Sequence, residues 1–150
     1  MKRKISLIGF WNDRSGNSFM ETALLLPAML LLCCGVMDFA RVVYAGVEVA
    51  SAARAGVQYG ALTPGHSGDT GGMSRAALAD AADLGDTVTA SATNFCACSG
   101  STTDCSSTCS GATPEGYVSV TANYTFNTLI SYPGVPRTVA LARTAKMRVQ

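Results

Sequence analysis

The sequence has little charge and few of the side chains that enzymes use. Charged residues make up 14% of its 150 residues, whereas soluble domains carry about 25%. The net charge of +1 gives no basic footprint for nucleic acid and no acidic tail. The single histidine, His66, lies in a Gly-rich loop, "TPGHSGDTGGMS", and we expect it to be solvent-exposed and inert.

No set of residues predicts catalysis. The sequence has no Ser/His/Asp arrangement, no glycine-rich phosphate loop after a strand and no pair of acids in a predicted cleft. We therefore expect a protein that is not an enzyme. We also expect no cofactor, no metal, no nucleic-acid partner and no small-molecule substrate.

What the sequence does have is a long apolar run near its start. Residues 22–37 are 16 apolar or small residues, fewer than the ~20 that span a bilayer. Including Glu21 and extending to Phe19 gives 19 residues, or roughly 28 Å of helix. A membrane span at about 19–37 is therefore complete only if Glu21 lies within it or at its edge. A carboxylate there costs at least ~2.5 kcal/mol without a partner.

The charges that flank this run predict its orientation. Four basic residues precede it, whereas Asp38 and Arg41 are the charged residues that follow closely; the four are Lys2, Arg3, Lys4 and Arg14. The positive-inside rule then predicts a cytoplasmic N-terminus and an external C-terminal part. Pro27, inside the run, is tolerated in spanning helices.

Two other secretory interpretations fit less well. A cleaved signal peptide needs a small-x-small site after the apolar run, and "VYA" at 43–45 is a poor one. A lipoprotein needs a small residue before its cysteine, but Leu32 precedes Cys33. A retained anchor is the interpretation that keeps Glu21 in the mature protein.

The helix is predicted to continue beyond the span, through residues 38–60. A stripe of apolar and small residues recurs there in alternating steps of four and three, which indicates one face of a helix. Its members are Phe39, Val43, Gly46, Ala50, Ala53 and Val57. The stripe packs either on the protein's own head alone or also on related helices in a polymer. The charged residues Arg41, Glu48 and Arg54 are interpreted as simply solvated.

Residues 61–150 predict a small α+β head. Ser74 is predicted to cap a short Ala-rich helix that ends at Gly85. Three strands are expected, at 87–94, 117–126 and 138–149, because these segments are Thr/Val-rich or alternate in polarity. Consecutive strands with short connections favour an antiparallel meander of three to four strands, with one face packed on the helix.

Four of the six cysteines lie in the polar segment between the first two predicted strands. They are Cys96, Cys98, Cys105 and Cys109, and their even number in a segment without its own core favours disulfides and an oxidising compartment. A zinc site is the alternative, but a C-x2-C pair and a histidine are missing from the segment. The nested pairing, Cys96 with Cys109 and Cys98 with Cys105, is preferred because it closes a hairpin-like loop. Cys33 and Cys34 are interpreted as small apolar side chains that face lipid or neighbouring helices.

The segment "SGNSFMETALLLPAMLLLCCGVMDFARVVYAGVEVASAARAGVQYGA" resembles the TadE-like family, which consists of pilin-related proteins of tight-adherence pilus systems. The features in common are Gly16 before the span, Glu21 five residues later, "LP" at Leu26–Pro27, and "MDFAR" at 37–41. The resemblance covers about residues 14–61, and more weakly the cysteine segment with "YVSVTANYTF" and the C-terminal "MRV". It implies a pilin-like fold: a long N-terminal helix on a small antiparallel sheet with a disulfide-stapled loop.

The resemblance also implies a processing event and a set of partners. A prepilin peptidase would cleave after Gly16, which makes residues 1–16 a cytoplasmic leader and Asn17 the mature N-terminus. Glu21 would then pair with the free N-terminal amine of a neighbouring subunit, which compensates its charge. Other pilins or pseudopilins, the inner-membrane assembly platform and the membrane would be the partners. The location implied is the bacterial inner membrane, with a periplasmic head and possible incorporation into a pilus.

Two functions from different classes follow. One is a minor pilin or pseudopilin that takes part in assembling a pilus for adherence, biofilm formation or secretion. The other is an unprocessed, membrane-anchored envelope protein whose head scaffolds or binds partners without polymerising.

Overall fold

The computed structural model describes residues 17–129, 134 and 136–150. Its helices are α1 (Asn17–Ala61), α2 (Pro64–Ser67) and α3 (Thr70–Asp80), followed by a 3₁₀ turn (Ala82–Leu84). Its strands are β1 (Thr89–Cys98), β2 (Ser101–Thr103), β3 (Glu115–Asn127) and β4 (Thr138–Arg148). The predicted α+β class is confirmed. The chain divides into two units, of which the first ends at Met37 and the second begins at Asp38.

α1 forms because its sequence is rich in Ala, Leu, Met and Val and contains one strong helix breaker, Pro27. The helix ends at Ala61, shortly before Pro64 becomes the first residue of α2. Thr63, between them, is extended and accepts a hydrogen bond from the backbone N–H of His66. This arrangement is typical of a helix N-terminus, where proline at the first position costs no hydrogen bond.

The four strands form one antiparallel sheet in the order β2-β1-β3-β4. β3 lies in the middle of the long strands and alternates as predicted, since Val118, Val120, Ala122 and Phe126 are buried. β1 and β4 pair with its two sides, from Thr89↔Asn123 and from Asn127↔Thr138 respectively. The meander is confirmed for these three strands, but β2, which follows β1 in sequence, turns back onto the outer side of β1. β1 also runs four residues further than predicted, to Cys98.

The second half of α1 and α3 pack on the sheet through two clusters of buried side chains. The first cluster is Val49, Ala52, Ala53, Ala81, Val88 and Ala122. The second is Val57, Ala61, Met73, Ala77, Val118 and Val120. Both consist mostly of small side chains, so the helix and sheet backbones approach closely. The core therefore depends on tight contact more than on large apolar groups.

The predicted stripe on α1 packs on the head at Ala53 and Val57, which are buried, but not further toward the N-terminus, where packing on related helices stays a prediction. Phe39 is 70% and Val43 51% exposed, and Gly46 and Ala50 are half-buried. The buried residues lie one position earlier, which is about 100° round the helix; they are Ala45, Val49, Ala52 and Gly56. Both faces carry Ala, Gly and Val, so composition does not distinguish between them.

Two predictions in the segment after α1 are wrong. α3 begins at Thr70, because Asp69 caps it by accepting a hydrogen bond from Gly72 N at 2.7 Å, so Ser74 lies inside the helix. His66 is half-buried rather than exposed: its ring lies 4.7 Å from that of Tyr59, and its Nδ1 is 2.8 Å from Thr63 Oγ1. Gly85 does end the helical region, with φ of 76°, a conformation that favours glycine.

The four cysteines of the head form two disulfides, but the nested pairing is wrong. Cys96 pairs with Cys105 and Cys98 with Cys109, over Cα–Cα distances of 5.0 and 5.6 Å. The reason is a tight turn directly after Cys98, at Ser99–Gly100, where both residues have positive φ. The turn pairs Cys96 with Thr103 across the hairpin, so Cys105 returns to the side of Cys96.

Pairwise replacement tests this connectivity by thiol counting in the denatured, unreduced protein. Cys96→Ser/Cys105→Ser should leave only the thiols of Cys33 and Cys34 and lower the free energy of unfolding by about 2.5 kcal/mol. Cys98→Ser/Cys105→Ser should add two reactive thiols, those of Cys96 and Cys109. If instead Cys98→Ser/Cys105→Ser leaves only the two thiols of Cys33 and Cys34, and Cys96→Ser/Cys105→Ser adds two more, the pairing is nested.

The close approach of α1 to the sheet predicts opposite effects at two glycines. A Cβ at Gly56 would lie 2.9 Å from the backbone oxygen of Met73 and 3.0 Å from a methyl of Val120. Gly56→Ala should therefore lower the free energy of unfolding by about 1–3 kcal/mol. A Cβ at Gly46 meets nothing within 4 Å, so Gly46→Ala should raise it by up to about 1 kcal/mol. Urea unfolding of the full chain in detergent measures both, and equal effects would contradict the packing.

Candidate functional site

In the first unit, the described residues 17–37 form a helix, and its apolar side chains from Phe19 onward are exposed all round. Phe19 is 77%, Leu24 80% and Met29 66% exposed, and the other large side chains as far as Met37 are similar. Within the described part of the chain, one helix, Phe19–Ala61, is long and apolar enough to cross a membrane. A helix that is apolar on every side is stable when lipid or other protein covers it. This segment is therefore a candidate membrane anchor.

Glu21 is the one charged side chain of the described first unit, residues 17–37, and it is exposed. No ion pair of Glu21 is found among residues 17–129, 134 and 136–150. It lies one turn inside α1, which begins at Asn17, and side chains on a helix lean toward the N-terminus. The free N–H groups of the first turn give that end partial positive charge. Gly16, the predicted processing residue, lies outside the described residues.

The same unit has a shallow groove and two free thiols. The groove has a volume of about 370 Å³ and is lined by Thr22, Leu25, Leu26, Met29, Leu30 and Cys33. Cys33 and Cys34 are unpaired and exposed. The thiols are thus part of the apolar surface, which is compatible with their interpretation as small apolar side chains.

At the start of the second unit, a buried carboxylate joins α1 to the end of β3. Asp38 is 5% exposed and accepts the backbone N–H of Leu129 on both oxygens, at 3.0 and 3.2 Å. Arg41, one turn later, donates to it at 3.1 Å and lies 5.1 Å over the ring of Phe126. The backbone N–H of Leu129 and the guanidinium of Arg41 thus provide hydrogen bonds to the buried charge of Asp38. We call Asp38, Arg41 and Leu129 the carboxylate latch.

The latch corrects the interpretation of Arg41 as a solvated charge. The available sequence signal was the spacing of Asp38 and Arg41, three residues apart on a helix, directly after an apolar run. Glu48 is not simply solvated either, because its negative charge and a hydrogen bond raise the pKa of Tyr44. Nothing in the sequence pointed to Leu129, since its role comes from its backbone N–H.

A second polar cluster stabilises the start of α3. Asp69 accepts hydrogen bonds from Gly72 N and from the Tyr59 hydroxyl, the latter at 3.0 Å. The Gly72 bond, and then the Tyr59 bond, hold the pKa of Asp69 below its usual value. The bond to Asp69 in turn raises the pKa of Tyr59. These residues act as a helix cap tied to α1.

The predicted site residues do not converge on one place. Glu21 belongs to the first unit, whereas Ala53 and Val57 lie in the head core. Gly46 and Ala50 line an open groove beside β4. Among the described residues, no group of three or more His, Cys, Asp or Glu side chains is placed to hold a metal ion.

Loss of the latch predicts a loss of stability that an exposed aspartate does not share. Asp38→Ala removes the buried carboxylate that accepts the Leu129 N–H and the Arg41 guanidinium, and should lower the free energy of unfolding by about 1–2 kcal/mol. Arg41→Ala should cost less, because its side chain is 45% exposed. Asp80→Ala, at an exposed position of α3, is the control. Equal unfolding midpoints for Asp38→Ala and Asp80→Ala would contradict the latch.

Comparison with known proteins finds a family similarity for the N-terminal part of the chain. Residues 16–58 match the family model of the TadE-like protein, which confirms the resemblance drawn from the sequence over this segment. The match includes Glu21, Pro27, Asp38 and Arg41. No curated protein and no solved structure matches the chain.

Proposed function

We propose that this protein is a minor pilin or pseudopilin of a tight-adherence pilus system, and that it acts in pilus assembly without catalysing a reaction. The observation that carries the proposal is Glu21, an exposed carboxylate in an apolar helix that has no cation of its own among the described residues. The match of residues 16–58 to the TadE-like family supports it.

The physical argument begins with the cost of the charge. In lipid, a carboxylate without a partner is costly enough to be rare unless it has a function. A cation from a second molecule would compensate it, and the free amine of a processed subunit is such a cation. Glu21 is therefore the proposed assembly contact. Prepilin peptidase would cleave between Gly16 and Asn17 to create that amine.

The division of the chain supports the proposed topology. The first unit ends at Met37, where the expected span also ends, and the carboxylate latch begins one residue later. We place residues 1–16 in the cytoplasm, 19–37 in the inner membrane and the head, 61–150, in the periplasm. Disulfides in the head fit an oxidising compartment. The partners would be the peptidase, other pilins or pseudopilins and the assembly platform in the membrane.

The alternative function is an anchored envelope protein that does not polymerise. The open groove beside β4 favours it specifically, because that surface would serve partner binding without assembly. Under this alternative, Glu21 would lie at the cytoplasmic edge of the membrane and would contact no second subunit.

Replacement of Glu21 tests the assembly role in the bacterium that carries the protein. Glu21→Ala and Glu21→Gln should each reduce pili recovered by shearing about tenfold or more, since both remove the charge that an amine would pair with. Membrane levels and non-reducing mobility of the protein should stay unchanged. Glu48→Ala, an acid on the same helix outside the expected span, is the matched control. Normal piliation with Glu21→Gln would remove the assembly role.

A further inference from the structure

The outer strand of the sheet has an unpaired edge. β4 pairs with β3 along its whole length, from Asn127↔Thr138 to Tyr117↔Arg148. In the described structure no strand lies on its other side, because β4 ends the order β2-β1-β3-β4. The strand has 11 residues and no proline. A long, regular edge of this kind presents a row of free backbone N–H and C=O groups.

An open groove runs beside this edge. It has a volume of about 650 Å³ and is lined by Val42, Val43, Gly46, Val47, Ala50, Ser51 and Arg54 of α1 and by Leu141 and Arg143 of β4. Val43 and Val47 are 51% and 61% exposed. Here α1 presents an apolar face that the sheet does not cover. A fifth strand at the usual spacing of about 4.8 Å from β4 would place alternate side chains in the groove.

The charges around the edge indicate which side chains an added strand would carry. β4 carries Arg143, Lys146 and Arg148 and no acidic residue. Arg148 is paired with Glu115, whereas neither Arg143 nor Arg54 forms an ion pair within the described residues. Two copies of this edge would repel each other, because each would present the same cations to the other. An acidic strand would gain from them instead.

We propose that the edge of β4 and the adjoining groove bind an extended acidic segment of a partner protein, which adds to the sheet as a fifth strand. Backbone hydrogen bonds to β4 give the affinity, as in other cases of strand addition. Apolar side chains of the segment contact Val43, Val47 and Leu141, and its acidic side chains pair with Arg54 and Arg143. Binding at this site requires neither Glu21 nor polymerisation, so its test is separate from the test of the proposed role in pilus assembly.

The test uses the full chain in nanodiscs and a fluorescent ten-residue peptide with threonine at every second position and valine or glutamate at the positions between, so that the valines and glutamates share the face that meets the groove. The peptide should bind, and hydrogen exchange of residues 138–148 should slow roughly tenfold or more at saturation, since free edge amides become hydrogen-bonded. A matched peptide with lysine in place of each glutamate should not bind. Binding of both peptides alike, or no binding of the acidic peptide at millimolar concentration, would overturn the proposal.

Two variant pairs locate the site. Arg54→Glu/Arg143→Glu should weaken binding roughly tenfold or more, and Arg75→Glu, on α3, should leave it unchanged. Gly46→Leu should fill the groove and block binding without harming the fold, because a Cβ there meets nothing within 4 Å. Gly68→Leu, equally open at the end of α2, is its control. Binding that leaves β4 exchange unchanged, or preference for an amphipathic helical peptide, would contradict strand addition.

Discussion

The structure depends on one constraint: residues 19–37 form a helix whose apolar side chains are exposed on every side. No part of the chain that the structure describes covers this surface, so the covering material has to come from outside the described chain. Lipid covers apolar groups but does not compensate Glu21. In the proposed role, a neighbouring subunit with a free amine would do both, so assembly would account for the carboxylate and the apolar surface together.

The second half of α1 belongs to the second unit, which has to be stabilised with a small core. The second unit, residues 38–150, has little volume for a core, and it contains mostly Ala, Val and Gly where α1 meets the sheet. Three further features stabilise the fold of this unit. They are the close contacts at Gly56 and Gly60, the two crossed disulfides and the carboxylate latch. The latch forms at the first residue of the second unit and joins the end of β3 to the part of α1 that belongs to the same unit.

The sequence was sufficient for the features that depend on periodicity and composition. The long helix, the alternation of β3 and the existence of disulfides follow from local pattern, and the structure confirms them. The features that failed depend on neighbours far along the chain. The buried face of α1 could not be separated from the face beside it, because both carry small residues. The disulfide pairing depended on a tight turn at Ser99–Gly100, and the role of Asp38 depended on a backbone N–H 91 residues away.

The central claim is that Glu21 and a newly created amine act together, and the N-terminus of the membrane-extracted protein tests it most directly. N-terminal sequencing with intact mass measurement should find a mature chain that begins at Asn17 and lacks residues 1–16. Glu21 would then be its fifth residue. A chain that still begins at Met1 in the bacterium that produces the pilus would contradict the account and favour the permanently anchored envelope protein.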